Sequence, residues 1–122
     1  MQIRCLIVDD SAAFLEAARV LLEREGVTVV GVASTAAEAL RQAEALRPDV
    51  VLVDVFLGRE SGMELARQLV AEDLDAATVI LISTHPEADL AGMIAENPAA
   101  GFIGKSDLSA RAIRRIVERR AA

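Results

Sequence analysis

Three acids, one hydroxyl and one amine hold the positions in this chain best suited to chemistry: Asp9, Asp10, Asp54, Ser83 and Lys105. Each lies at the end of a short apolar run. Ile3 to Val8 leads to Asp9-Asp10, Val50 to Val53 leads to Asp54, Thr78 to Ile82 leads to Ser83, and Ala100 to Gly104 leads to Lys105. If these runs are parallel strands, their carboxyl ends point the same way, and the crevice beyond such ends is where open α/β sheets bind ligands. Two carboxylates about 4 Å apart repel by roughly 4 kcal/mol at an effective dielectric near 20. Three at one edge therefore need a cation. Mg2+ suits them, because it takes one or two carboxylates, keeps waters and accepts phosphate oxygens as further ligands. A carboxylate screened in this way can attack phosphorus and form an aspartyl phosphate. Phosphoryl transfer is largely positioning and electrostatics, and Lys105 supplies the charge while Ser83 supplies a hydrogen-bond donor. No Gly-rich phosphate loop is present, and this chemistry requires none.

Taken singly, each residue has a plainer role. Asp10 or Asp54 at a strand end is more often a helix cap than a catalyst. Ser83 alone is a loop hydroxyl and Lys105 alone a solvated charge. The combination carries the reading, since each residue falls at the end of a different strand in a consistent register.

The elements that must position these residues follow from periodicity. Ile3 to Val8 reads as a first strand, and Val27 to Ala33 as a second, ending at Ser34. Val50 to Val53 reads as a strand buried on both faces, Thr78 to Ile82 as a fourth, and Ala100 to Gly104 as a short fifth. Between them lie helical patterns. The first carries Phe14, Ala17, Ala18, Leu21 and Leu22 on one face, with Gly26 placed to end it. Thr35 to Glu38 and Ser61 to Glu64 have capping-box spacing. The helices they open turn Ala36, Ala39, Leu40, Ala43 and Leu46, and then Leu65, Ala66, Leu69 and Val70, inward. Pro48 stops the first of these. Pro86 starts a weaker helix anchored by Leu90, Met93 and Ile94 and ended by Asn97-Pro98. The last helix turns Ile113, Ile116 and Val117 inward and crowds five Arg on its remaining surface. Five alternating βα units imply an α/β fold, a parallel sheet with helices on both faces.

Composition narrows the function classes. The 122 residues suit one domain, spanning 1–122. A net charge of −6 argues against a domain whose main work is coating nucleic acid. With aromatics at 2%, Ala, Val, Leu and Ile must fill the core. Cys5 is the single cysteine, which excludes an internal disulfide and a cysteine zinc site, and it reads as a small core residue. No signal segment or membrane-length apolar run occurs, so a cytoplasmic protein is expected.

Across its whole length the chain resembles a receiver domain of the two-component response regulators. The features in common are the acidic pair Asp9-Asp10, Asp54, Gly62 eight residues later, Ser83 and Lys105, in order and spacing. The resemblance implies a doubly wound, flavodoxin-like five-stranded sheet of order 2-1-3-4-5. It implies Mg2+-dependent transfer of a phosphoryl group from a phosphohistidine, on a sensor histidine kinase or a phosphotransfer protein, to Asp54. Asp10 and Asp54 would ligate the metal through their side chains, Asp9 directly or through water, and Phe56 through its backbone carbonyl. Ser83 and Lys105 would hold phosphate oxygens. Slow loss of the phosphate is implied, without turnover of an external substrate. Movement of Ser83 would then draw Phe102 inward and change the face made by the fourth helix, fifth strand and fifth helix. Phe102 also reads as ordinary core packing.

Departures from the family pattern mark points of interest. Gly58 stands where the family usually has Pro, which is expected to loosen that loop. Thr84 stands where Ala or Gly is usual, and Ser106 follows Lys105 in place of a cis Pro, which leaves that loop either trans or more mobile, because a cis bond before a non-proline is costly. Thr84 and His85 occupy positions where family members tune phosphoryl lifetime, although His85 also reads as a helix-start residue facing water. A phosphatase of the haloacid dehalogenase type is the alternative from another class. It needs a second Asp two residues after the nucleophile, and Phe56 holds that position here. A flavin-binding reading lacks both a phosphate loop and ring-sandwiching aromatics. The expected setting is a stand-alone receiver, the receiver part of a longer transcriptional regulator, or a receiver-like module that acts without phosphorylation. Acids on the fourth helix and Arg on the fifth suit a homodimer through that face, and no membrane or direct nucleic-acid partner is expected.

Overall fold

The apolar runs form strands because β-branched and Leu side chains alternate between two covered faces. In the computed structural model, which describes residues 2–72 and 77–121, a five-stranded sheet runs in the order β2-β1-β3-β6-β7. Its strands are β1 (Arg4–Val8), β2 (Thr28–Ala33), β3 (Val50–Asp54), β6 (Thr78–Ser83) and β7 (Gly101–Gly104). All neighbouring pairs are parallel. Two short strands, β4 (Phe56–Leu57) and β5 (Glu60–Ser61), pair with each other as a separate antiparallel hairpin. With that hairpin set aside, the order is the expected 2-1-3-4-5, and the fold is the flavodoxin-like receiver fold.

Alternation sorts the core into two layers. Leu6, Val8, Val51, Val53, Val79 and Leu81 meet α2 (Ala36–Leu46) and α3 (Gly62–Glu72), with Leu90 of α4 (Glu87–Ala95). Cys5, Ile7, Val50, Leu52, Ile80 and Ile82 meet α1 (Ala12–Arg24) and α5 (Ala110–Ala121). Val50 to Val53 are wholly buried, and each such side chain contributes about 1.5–3 kcal/mol relative to exposure.

Two inward assignments differ from the sequence expectation. Ala17 is exposed, because the stripe of α1 that meets the sheet runs along Phe14, Ala18 and Leu22, and the methyl of Ala17 lies on its flank. Met93 is 48% exposed, because α4 has only nine residues and touches the core through Leu90 and Ile94. The caps formed with altered partners. Thr35 caps the Glu38 amide, while the Glu38 carboxylate accepts from Ser34 N at 2.9 Å. Ser61 caps the Glu64 amide at 3.2 Å, while Glu64 turns to Arg67.

The loop after β3, where Gly58 is expected to loosen the chain, closes as a short hairpin. Leu57 and Glu60 pair across a two-residue turn in which Gly58 has φ +60° while Arg59 stays on the negative side. Gly at the first central position suits the tight hairpin turns whose twist matches the strands. Beyond the hairpin, Gly62 is packed under the end of β3. A Cβ there would lie 1.7 Å from the Asp54 carbonyl oxygen, a position that no real side chain occupies.

Two outcomes follow from this packing. Gly62→Ala is expected to destabilise the fold by about 3 kcal/mol or more, since backbone must move to admit the methyl, and urea unfolding measures it. Burial pushes the Cys5 thiol from 9.0 up to about 12. An alkylating reagent at pH 8 is therefore expected to leave native Cys5 unmodified and to label it fully in denaturant. Between those pKa values the unfolded chain has lost the thiol proton and the folded one retains it, so this contribution to stability falls as pH rises. Cys5→Ala is expected to flatten that part of the pH–stability curve.

Candidate functional site

Strand register assembles the site. Ala33, Val8, Val53, Leu81 and Phe102 form one row across the sheet. One residue further along, Asp9 and Asp54 stand on adjacent strands. Another step reaches Asp10 and Ser83, and Lys105 follows the end of β7. The sheet thus brings together at one edge all five residues singled out from the sequence.

Three carboxylates converge. Asp9, Asp10 and Asp54 each offer an oxygen within 4.8 Å of the others. Asp9 is wholly buried, Asp54 is buried and Asp10 is exposed. Asp9 Oδ1 accepts from Ser11 N at 2.8 Å, and Asp54 Oδ1 accepts from Phe56 N at 3.1 Å. Ser11, not Asp10, caps α1 by accepting from Phe14 N. That leaves the Asp10 carboxylate beside Gly58, where a Cβ would approach its Oδ2 to 3.4 Å.

The amine answers the buried charges. Lys105 Nζ lies 2.6 Å from Asp9 Oδ2 and 3.2 Å from Asp54 Oδ2, and its side chain is only 14% exposed. It is no solvated surface charge. At 2.6 Å the Lys105 ammonium is the partner of Asp9 Oδ2. One ammonium facing three carboxylates leaves an excess of negative charge on hard oxygen ligands, which fits a hard divalent cation. Burial, chiefly, raises the pKa of Asp54, and the like charge of Asp9 adds to it. The Phe56 amide and Lys105 oppose the rise without cancelling it. For Lys105, burial favours the neutral amine, but the hydrogen bond and charge of Asp9 and Asp54 outweigh it and raise its pKa.

Phe14 was expected only to pack. Its ring centroid lies 4.4 Å from Lys105 Nζ, close enough for a cation–π contact. Its place one turn into the helix after the acidic pair is the only sequence signal for that contact.

Ser83 is buried, and its hydroxyl is already engaged. It accepts from His85 N at 3.0 Å and faces His85 Nδ1 at 3.4 Å. The exposed His85 also packs its ring on Phe56, with centroids 4.7 Å apart. His85 is thus not merely a helix-start residue facing water. Thr84 is exposed beside it and lines a cavity of about 310 Å3 with Ser83, His85, Phe102 and Gly104. Phe102 is half-buried, packs on the core and borders this cavity. The Lys105–Ser106 bond, whose conformation the sequence leaves open, is trans. Asn97 was read only as a helix end. It is buried, and its Nδ2 donates to the Met63 carbonyl at 3.0 Å, tying the end of α4 to α3.

Comparison with known proteins agrees with this geometry. The family model for the response regulator receiver domain matches residues 5–118. The chain is 31% identical over 112 residues to the transcriptional regulatory protein LnrK of Bacillus subtilis, covering 91% of this chain and 50% of that protein. It is 34% identical over 104 residues to the response regulator GacA of Pseudomonas viridiflava, covering 84% of this chain and 48% of GacA. The chain spans about half the length of these curated relatives. Among solved structures, a CheY-like receiver domain protein from Methanospirillum hungatei JF-1 superposes with a TM-score of 0.80 at 26% identity, over 98% of this chain and 94% of that one. Among the described residues, no helix is long and apolar enough to cross a membrane. A sheet of receiver order, an acidic cluster at its edge and a match over nearly the whole chain lead to one conclusion: this chain belongs to the response regulator receiver domain family of two-component systems.

Proposed function

We propose that residues 1–122 form one receiver domain that accepts a phosphoryl group on Asp54 from the phosphohistidine of a sensor kinase or phosphotransfer protein. The observation that carries this reading is the meeting of three carboxylates within 4.8 Å with a half-buried ammonium that touches two of them. Asp9, Asp10, Asp54 and the Phe56 carbonyl would hold Mg2+, which supplies charge neutralisation for the acids and the incoming phosphate oxygens.

The protein's own groups account for the remaining requirements. An Asp54 carboxylate oxygen attacks phosphorus in line. The P–N bond of the phosphohistidine breaks, and the imidazole nitrogen leaves with the electron pair and takes up a proton. The Phe56 amide fixes the rotation of the Asp54 carboxylate by donating to Oδ1. Lys105 exchanges part of its contact with Asp54 Oδ2 for a phosphate oxygen. Ser83 gives up its bond from the His85 amide and donates to another. Phe56, two residues after Asp54, carries no proton to speed hydrolysis, which suits a phosphate held as a signal and disfavours a phosphatase.

Release of Ser83 opens the way for Phe102 to move into the neighbouring cavity. The face that would change holds Glu87 and Ile94 of α4, Phe102 of β7, and Arg115, Ile116 and Arg119 of α5. Acids on one helix and Arg on the other suit a twofold pairing of two copies. The relatives LnrK and GacA are regulators about twice as long, so the same switch serves either a stand-alone receiver or the receiver part of a longer transcriptional regulator, in the cytoplasm.

Acetyl phosphate with Mg2+ is expected to add one phosphoryl mass to the wild type, and hydroxylamine is expected to remove it. Asp54→Asn is expected to show no gain, and chelation of Mg2+ is expected to abolish it. A folded wild type that gains no mass would point to a module acting without phosphorylation, and rapid turnover of phosphate esters would point to a phosphatase. Two variants address lifetime. Thr84→Ala, which removes a branched side chain from the cavity mouth, is expected to speed phosphoryl entry, loss or both severalfold. His85→Ala, which uncovers Phe56 and removes the ring from the Ser83 hydroxyl while keeping the backbone N–H bond to it, is expected to shorten the phosphoryl half-life. Equal rates in either variant and the wild type would remove that residue from the proposal.

A further inference from the structure

The loop that carries Phe56 and borders Asp10 is held at three points. Leu57 is buried in the core, and Gly62 is locked beneath Asp54, its N–H donating to the Val55 carbonyl at 3.0 Å. The third point is a side chain. Glu60, on the returning strand of the hairpin, reaches across to α2, and its Oε1 accepts from Ala36 N at 3.0 Å. The first amides of a helix have no partner within the helix. At this end of α2, Thr35 serves Glu38 N, and Glu38 serves the Ser34 N–H just before the helix. The Ala36 amide is served by a residue of the acceptor loop, 24 positions away in sequence.

We propose that Glu60 is a positioning residue for the metal-binding cluster. It clamps the β4–β5 hairpin to α2 and so fixes the Phe56 backbone and the Gly58 turn against Asp10. The β4–β5 pair and this clamp do the stiffening that Gly58 cannot do itself. Phe56 pairs with Ser61 and Leu57 with Glu60, so a shift of Glu60 is passed directly to the strand that bears Phe56. A Cβ at Gly58 would lie 3.4 Å from Asp10 Oδ2, so the turn faces that carboxylate and the same shift changes the mouth of the cluster. This role rests on the reading that Asp9, Asp10, Asp54 and the Phe56 carbonyl hold Mg2+.

Titration calorimetry with Mg2+ on the whole chain tests it, using the wild type, Glu60→Ala and Glu60→Gln. Glu60→Gln keeps an oxygen that can accept from Ala36 N and removes the charge. Glu60→Ala is expected to weaken Mg2+ binding about tenfold, the lower end of what groups that orient metal ligands contribute, and Glu60→Gln to remain close to the wild type. Hydrogen exchange without metal is expected to quicken at the Ala36 and Phe56 amides in Glu60→Ala alone. Equal affinity in all three proteins would overturn the positioning role and leave the proposed function standing. Equal weakening in both variants would assign the effect to charge at a distance and also overturn the role. A wild type that binds no Mg2+ would overturn the proposed function and this role with it.

Discussion

Burial of like charge is the constraint on which the site depends. Asp9 is wholly enclosed and Asp54 nearly so, on adjacent strands, with Asp10 close by. Carboxylates do not share such a place without compensation, because desolvation and mutual repulsion both favour the protonated form. The raised pKa of Asp54 records that tension. Lys105 relieves part of it by standing between the two buried acids, and its position on Phe14 shields it from water. Removing one partner from a buried ionic group typically costs about 3–5 kcal/mol, so Lys105 serves the stability of the fold as well as any chemistry. The relief is incomplete, since one ammonium faces three carboxylates. That residual need is what a divalent cation would satisfy.

Around this centre the backbone is held more tightly than the side chains. Gly62 lies against the Asp54 carbonyl, the Phe56 amide orients the Asp54 carboxylate, and the hairpin closes within two residues. Ser83, His85 and Phe102, by contrast, border a cavity. A cavity of this kind beside the acidic cluster would give a local change of charge an element to act on.

Much of this was legible in the chain. Five apolar runs broken by amphipathic helices allowed few topologies, and the sheet has the expected order. The acids, Ser83 and Lys105 were found because each ends a strand. Phe14, Glu60 and Asn97 were not singled out for their contacts. Each acts on a partner far away in sequence, and no local pattern marks such a pairing: Phe14 meets Lys105, Glu60 meets Ala36, and Asn97 meets Met63. Gly58 was read as a loosening of its loop because the missing Pro was visible and the pairing of Leu57 with Glu60 was not.

The sequence by itself determined the elements, the two-sided burial of β3 and the identity of the charges at its end, because periodicity and strand termination are local properties of the chain. Tertiary structure alone decided how those charges are shared. Which carboxylate is enclosed, where the Lys105 ammonium rests between Asp9 and Asp54, and that the Ser83 hydroxyl is held by His85 all depend on strand register and on loops that meet only after folding. Electrostatic energy at these distances changes steeply with position and burial, and neither quantity is written in the order of residues.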